Sequence, residues 1–529
     1  MKKIILLFSL FAVFFSIKIY SQELPRIVEN ERGVKQLIVN GKPFIFLGGE
    51  LHNSTASNLD YLNPRLKDLQ ERHLNSVIAT VSWELFEPKE GEYDYALVKG
   101  IIDQARQYNL KLILIWFATW KNAGSTYVPE WVKQDLQRFP RLQIQNGKNT
   151  GTLSAFGENT MKADAKAFAK LMAYIKEYDR KQQTVLMMQV ENETGIMGSA
   201  RDRCDAAEQA FKQVVPRELM SYLKQHEATL IPELKFMMKG QPNREGATWQ
   251  EVFGHGADEV FSAWHIARFV NYITEEGKKE YNIPMFVNAW LDWSFSKDLI
   301  PEYPSGGPVS KVFDIWHAAA PSIDLIGADV YVDDFKKVCE MYTQSGNPLF
   351  LPELAPSIRQ AAYVYYALGE NAMCFAPFGI DGYHKERAEV VAKSYKTLYG
   401  FLPFFSQYCG KDNNKGLLYT NQKTEEIRLG DYRIRVEYTQ ERNEGENRPE
   451  SGGLVLQTGP DEFYVAGLGM NVFFYLQHNL AKDQVETVLH EEGEFNNGEW
   501  IASRRMNGDE LDIRISSPSI RKLKFHRFK

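Results

Sequence analysis

Two glutamates in this chain close short apolar runs in the same way. Val185–Gln189 leads into Val190-Glu191-Asn192-Glu193-Thr194-Gly195, and Phe350-Leu351-Pro352 leads into Glu353. Each is a carboxyl group leaving a segment that reads as buried on both faces. Two such groups on opposite walls of a narrow cleft can divide a reaction between them. One attacks an electrophilic carbon, while the other gives a proton to the departing oxygen and then takes one from water. Sugar acetals suit this arrangement, and cleavage with retained configuration requires the carboxyls to stand about 5–5.5 Å apart. The acid must stay protonated near neutral pH and the nucleophile ionised, a division that environment makes and that sequence leaves interchangeable. Asn192, next to Glu193, suits a sugar 2-hydroxyl, a contact that strengthens as oxocarbenium character develops. Glu84 and Glu87 also follow an apolar run and compete for the role of acid, but neither has an adjacent Asn.

Opposed carboxylates need a frame that brings distant strand ends together. Between residues 44 and 377, eight nearly continuous apolar runs read as strands buried on both faces. They are Phe44–Leu47, Ser76–Thr80, Lys111–Trp116, Val185–Gln189, Met285–Ala289, Leu325–Ala328, Leu349–Leu351 and Met373–Pro377. Helix-like stretches such as Pro64–Arg72, Tyr95–Tyr108 and Met161–Tyr178 separate them. Repeated βα units of this kind predict an α/β fold, a (β/α)8 TIM barrel, in which catalytic groups sit at the C-terminal ends of strands. The two glutamates are about 160 residues apart, roughly three units of a large barrel, which places Glu193 on the fourth strand and Glu353 on the seventh. Leu234–Met238 competes for the fifth strand but reads better as part of an insertion before it.

Past Gly400 the texture changes to short alternating runs, Ile427–Leu429, Tyr432–Glu437, Gly453–Gln457, Phe463–Ala466 and Leu511–Ile515, with Gly, Asn and Asp turns between them. This predicts a smaller all-β C-terminal domain. The expected organisation is a signal peptide over 1–21, the barrel over 22–405 and a β-sandwich-like domain over 406–529. The C-terminal domain shows no cluster of exposed-looking aromatics and reads as a brace on the barrel. Its polar stretch Thr439–Gly452 reads as a solvated loop.

The first residues, Met1-Lys2-Lys3 followed by apolar Ile4–Ile17, have the form of a secretory signal, so the chain is expected to be exported to the periplasm or medium. No later run is long enough to span a bilayer. The formal net charge of −6 is spread over 529 residues, which excludes the basic footprint of a nucleic-acid binder and points to a neutral partner. Cys204, Cys339, Cys374 and Cys409 are too dispersed for a zinc site and are compatible with disulfides or with four buried thiols. Glycine pairs such as Gly306-Gly307 lack the spacing of phosphate loops. No metal or cofactor is expected.

The motifs at the strand ends carry a resemblance. Gly48-Gly49-Glu50-Leu51-His52-Asn53-Ser54, Trp83-Glu84-Leu85-Phe86-Glu87-Pro88, Trp116-Phe117-Ala118-Thr119-Trp120-Lys121-Asn122, Gln189-Val190-Glu191-Asn192-Glu193 and Pro352-Glu353-Leu354 together resemble the clan A barrel glycosidases. Within them the chain is similar to family 35 β-galactosidases of the bacterial type with a small C-terminal β-domain. The resemblance implies Glu193 as acid/base, Glu353 as nucleophile, Asn192 as 2-hydroxyl partner, and a terminal β-D-galactosyl substrate such as the side chains of xyloglucan. Thr194 and Leu354-Ala355-Pro356 depart from that pattern. Trp83, Trp116, Trp120, Trp290 and Tyr331 are the candidate rings for stacking on a pyranose, with Tyr331 also within reach of the nucleophile. Asn53, Lys121, Asn122 and Asn288 are candidates for galactose hydroxyls. His52, His255 and His265 have no metal or triad spacing and read as structural. Two rival readings are the same machinery acting on another β-linked sugar, such as glucose or arabinopyranose, and a non-catalytic carbohydrate-binding barrel.

Overall fold

The computed structural model describes residues 23–238, 246–292, 302–441, 449–477, 485–496 and 498–528. The expected signal segment therefore lies outside the described residues, as does half of the expected loop Thr439–Gly452.

The eight strands form one parallel sheet, in chain order Phe46–Leu47, Ser76–Ser82, Lys111–Lys121, Val185–Asn192, Met285–Trp290, Leu325–Val330, Phe350–Leu354 and Cys374–Pro377. Each apolar run of the sequence is one of these strands. The ring closes between the first and second through Glu50, which bridges in parallel to Ile78 on one side and Phe378 on the other. Leu234–Met238 is not a strand: Pro232–Met237 is a helix in a helical insertion between the fourth and fifth strands. Pro at its first position and the short run of helix formers explain the outcome.

Side-chain alternation sorts each strand into two faces. Phe46, Ile78, Ile113, Ile115, Phe117, Met187, Phe286, Leu325 and Phe350 fill the barrel interior as one apolar cluster. Leu37 and Val39, from a three-stranded antiparallel sheet over residues 26–44, join that cluster. The opposite face, with Val77, Leu112, Leu114, Trp116, Met188 and Val287, packs on the surrounding helices.

The C-terminal domain is a sandwich of a six-stranded and a four-stranded antiparallel sheet. Tyr432, Ile434, Val436, Phe463, Val465 and Leu523 form the core between them. The other face of the larger sheet, through Leu454, Leu456, Tyr464 and Phe495, is continuous with the outer core of the barrel. Helix Gln360–Gly369 lies at this junction and all ten of its residues are buried. Close backbone approach makes glycine necessary there. A Cβ on Gly369 would sit 2.4 Å from the backbone of Gly416, and one on Gly452 2.7 Å from Ala362. All four cysteines are free thiols. No helix among the described residues is long and apolar enough to cross a membrane.

Candidate active site

The fourth strand ends in a backbone that few residues adopt willingly. Glu191 (φ 64°) and Glu193 (φ 46°) are both left-handed, so the side chains around Asn192 are redirected out of simple alternation. The surroundings hold this geometry. The Glu193 N–H donates to Asn288 Oδ1 at 2.9 Å, and its carbonyl accepts from Ala123 N–H at 3.0 Å. Asn122 and Ala123 are also left-handed and form the centre of a tight turn closed by two bonds between Lys121 and Gly124.

The seventh strand reaches the same point by another route. Its register against the eighth shifts between Leu351 and Leu354, and Glu353 pairs with Asp329 of the sixth strand. Carboxylate oxygens of Glu193, Asp329 and Glu353 lie within 4.8 Å of one another, and all three residues are buried. Tyr331 O–H donates to Glu353 Oε1 at 2.5 Å. Asn288 Nδ2 donates to Asp329 Oδ2 at 2.6 Å. Lys121 Nζ donates to Asn192 Oδ1 at 2.9 Å, leaving the buried Asn192 Nδ2 without a protein partner.

This crowding sets the protonation states. Burial, then the negative charge of Glu353, pushes the Glu193 carboxyl up to about 8, against the opposing pull of Lys121. Burial and the same neighbouring charges hold Asp329 well above the carboxylate range. Glu50, inward on the first strand, is raised well above that range by burial and then by Glu353. The oxygens of Glu193, Asp329 and Glu353 are close enough to ligate a divalent cation, and the Lys121 ammonium supplies positive charge to the group without one.

The other expected contacts divide. Lys121, Asn192 and Tyr331 belong to the cluster. Asn53 is half-buried with an unpartnered Oδ1. Trp290 shares the inward parity of Phe286 and Asn288 and is half-buried. Three tryptophans do not fit the stacking role. Trp116 and Trp120 share the outward parity of Leu112 and Leu114; Trp116 bonds Asp164 at 2.8 Å and Trp120 packs edge-on against Phe269. Trp83 is fully buried, bonded to Glu87 at 2.7 Å and packed against Trp131. Asn288 has both amide groups engaged, so it positions Glu193 and Asp329 instead of waiting for a hydroxyl. Asn122 is exposed and shapes its turn. Glu84 pairs with Lys133 at 3.1 Å and Glu87 accepts from Trp83 and Gly91, so neither competes as acid. His52 binds Asp381, and His265 packs among Phe156, Phe261 and Trp249.

Two members of the cluster, Glu50 and Asp329, were not among the expected site residues. Counting alternate positions from Phe46 through Gly48 to Glu50, and from Leu325 through Gly327 to Asp329, places both inside the barrel. The same count turns Trp116 and Trp120 outward.

Residues 57–229, which include Lys121, Asn192 and Glu193, match a family model described as β-galactosidase, that of glycoside hydrolase family 42. Residues 391–517 match one described as a domain of unknown function, DUF5597. No curated protein matches the chain. Solved structures similar to it include the β-galactosidase of Bacillus circulans sp. alkalophilus, with 17% identity over 68% of this chain and 56% of that one and a TM-score of 0.47. A second is the β-galactosidase of Rahnella sp. R3, with 16% identity over 68% and 57% and a TM-score of 0.46. A third is a catalytic mutant of a family 42 β-galactosidase from G. stearothermophilus, with 12% identity over 91% and 98% and a TM-score of 0.48. The chain spans little more than half the length of the first two. The family whose model matches, over residues 57–229, is 42 and not the family 35 that the strand-end motifs resemble.

Proposed function

We propose that the protein is a retaining, exo-acting β-galactosidase, with Glu193 as acid/base and Glu353 as nucleophile. The observation that carries this reading is the approach of the two carboxyl groups to within 4.8 Å. Oxygens that close belong to the nearer arrangement of retaining enzymes, about 5–5.5 Å between carboxyls, and not to the wider one of about 6.5–9.5 Å that inverting enzymes use. A carboxyl pushed up to about 8 is protonated at neutral pH and ready to donate, which separates the two roles that sequence leaves open.

In the first step Glu193 protonates the glycosidic oxygen as Glu353 attacks C1. The C1–oxygen bond breaks, the aglycone leaves as an alcohol, and the sugar is held as an ester of Glu353. In the second, Glu193, now ionised, takes a proton from water as that water attacks C1 and frees Glu353. Tyr331, bonded to Glu353, holds the nucleophile in position. Asn192, its oxygen fixed by Lys121, presents Nδ2 to the sugar 2-hydroxyl. The substrate assigned is the terminal β-D-galactosyl group of plant oligo- or polysaccharide side chains such as xyloglucan. The N-terminal segment would deliver the enzyme to the periplasm or the medium, where cell fractionation would find it shortened.

Hydrolysis of aryl β-D-galactoside, β-D-glucoside and α-L-arabinopyranoside by the wild type, Glu193→Ala and Glu353→Ala tests the assignment. Galactoside turnover should be lost in both variants. Azide should then yield β-galactosyl azide from Glu193→Ala and α-galactosyl azide from Glu353→Ala. Preference for another glycoside would refute galactose while leaving the mechanism intact. Indifference to both substitutions would refute the pair.

A further inference from the structure

Of the carboxyl groups gathered at the centre of the barrel, Glu50 has no part in the two chemical steps. Its backbone is fixed on three sides. The Glu50 N–H donates to Pro377 O at 2.9 Å, its carbonyl accepts from Ile380 N–H at 3.3 Å, and its bridges to Ile78 and Phe378 close the ring of strands. Its side chain points inward and is 1% exposed; no protein donor reaches either carboxyl oxygen, and its side-chain contact is with the carboxylate of Glu353. A buried carboxyl that no protein donor reaches carries a desolvation penalty that protein structures seldom leave uncompensated. Burial, then the charge of Glu353, raises its affinity for a proton, and the protonated carboxyl offers an O–H donor and a carbonyl acceptor side by side. Two neighbouring sugar hydroxyls are the natural complement of that pair.

The strand order says which hydroxyls. With C1 at Glu353 on the seventh strand and the C2 hydroxyl at Asn192 on the fourth, walking back around the wall passes Lys121 on the third and reaches Glu50 on the first. The same walk around a pyranose passes C3 and reaches C4. In galactose the axial C4 hydroxyl rises on the same face as the C6 hydroxyl, so one carboxyl can meet both. In glucose the C4 hydroxyl lies in the ring plane and the pair is broken. We infer that Glu50 is the specificity-determining residue of this site, hydrogen-bonding the axial C4 hydroxyl together with the C6 hydroxyl of the galactosyl ring. The inference rests on the proposed β-galactosidase activity and adds to it the residue that reads the epimer.

The test is steady-state kinetics of the wild type, Glu50→Ala, Glu50→Asp and Glu50→Gln on aryl β-D-galactoside, its 4-deoxy analogue, β-D-fucoside (which lacks the C6 hydroxyl) and β-D-glucoside. Glu50→Ala should lower kcat/KM for the galactoside by roughly 10²–10³-fold, because a site built to bond a hydroxyl discriminates steeply. It should lower that for the 4-deoxy analogue by less than about tenfold, so that the ratio between the two collapses, with the fucoside falling between. Glu50→Gln, which keeps a donor and an acceptor in place, should retain most of the selectivity. If Glu50→Ala does not fold, Glu50→Asp carries the test: it keeps the carboxyl but withdraws it by one methylene, and should lose galactoside activity selectively. Equal losses on the galactoside and its 4-deoxy analogue in whichever variant folds, or a displaced alkaline limb of the pH profile, would show that Glu50 acts through Glu193 or Glu353 and overturn the assignment. A wild type that prefers the glucoside would refute the galactosidase reading itself, and this assignment with it, before any variant is measured.

Discussion

Glu191 and Glu193 stand two residues apart, are equally sequestered and hold the same left-handed backbone, yet they face opposite kinds of surroundings. Glu191 accepts from the backbone N–H groups of Thr119 at 3.3 Å and Trp120 at 2.6 Å, and it lies against Asp164. Asp164 in turn accepts from Trp116 Nε1 at 2.8 Å and Thr119 Oγ1 at 2.5 Å. Every oxygen of that pair has a protein donor. On the other side of Asn192, Glu193 Oε2, Glu353 Oε2, Asp329 Oδ1 and both oxygens of Glu50 have none. Burial alone therefore does not mark a functional carboxyl, since both groups are buried and burial raises the affinity of both for protons. What separates them is whether the protein uses the lone pairs itself or leaves them for a ligand. The first group locks the ends of the third and fourth strands together, and the second is held in place by that lock.

The largest effects should split along this line. Glu353→Ala should lower kcat/KM by roughly 10⁴-fold or more, as removal of a nucleophile does. It should leave the melting temperature unchanged or higher, because one of several crowded acidic groups has gone. Asp164→Ala should do the reverse in origin. It removes the acceptor for a buried indole N–H and a buried hydroxyl, each of which costs about 1–3 kcal/mol of stability when left unsatisfied. Thermal melts of the two variants beside the wild type check both. Equal melting temperatures would break the comparison.

The pH dependence sharpens it. Above pH 8 the free enzyme should lose Glu193 as a proton donor, so log kcat/KM should bend near pH 8 and fall with unit slope beyond it. Stability has a separate dependence. Glu191 is raised well above its ordinary value, by burial first and then by the charge of Asp164, so the folded state holds a proton that the unfolded chain releases. Its contribution is fully present below the unfolded value of a glutamate and is lost as pH rises through the folded one. Glu191→Gln, which cannot ionise, should therefore flatten the alkaline fall in melting temperature while the activity limb stays near pH 8. A limb that moves with Glu191→Gln would tie the two groups into one titrating system.

Tyr331→Phe should have a smaller effect. It removes a hydrogen bond to a charged carboxylate worth about 1.5–3 kcal/mol and thus roughly 10–100-fold in kcat/KM, with little change in melting because the ring is substantially exposed. A drop in KM that offsets the drop in kcat would mean that Tyr331 restrains the ground state more than it serves the transition state.

How much of this was legible in the sequence follows from the physics of each signal. The eight barrel strands are continuous apolar runs because both faces are buried, and the run that competes with them inside the barrel region, Leu234–Met238, is turned into a helix by a preceding proline. The sheet over residues 26–44 gives only short alternating stretches, and its strands gain their place by sealing the barrel interior with Leu37 and Val39. Charged strands of the C-terminal domain, Val485–Asn496 and Glu499–Arg505, are half-exposed and carry little apolar signal. In the site, Glu193 and Glu353 are visible as acids at strand ends, and Tyr331 and Lys121 as neighbours. The tryptophans mislead because a ring at a strand end looks the same whether it faces the barrel or the helices. Only strand parity tells the two apart, and parity itself fails across the register shift between Leu351 and Leu354 and across the left-handed residues Glu191 and Glu193.

The smallest expected effect bears on the rival acids of the second strand. Glu84 follows the same kind of apolar run as the residues of the cluster, so a reading based on strand ends alone gives it equal standing with Glu193. Its side chain, however, is more than a third exposed and pairs with Lys133 across the surface at 3.1 Å. Exposed pairs of this kind contribute about 0–1 kcal/mol, because water screens the attraction and two long side chains must be ordered to make it. Glu84→Gln should therefore change kcat/KM by less than about twofold and leave the melting temperature within experimental error, since the loss is at most a fraction of one hydrogen bond. Parallel kinetics and melts of Glu84→Gln and Glu193→Gln measure the contrast directly. A large fall in kcat for Glu84→Gln would mean that exposure is no guide to role in this barrel, and that the distinction between partnered and unpartnered carboxyls drawn at Asn192 does not extend to the neighbouring strand.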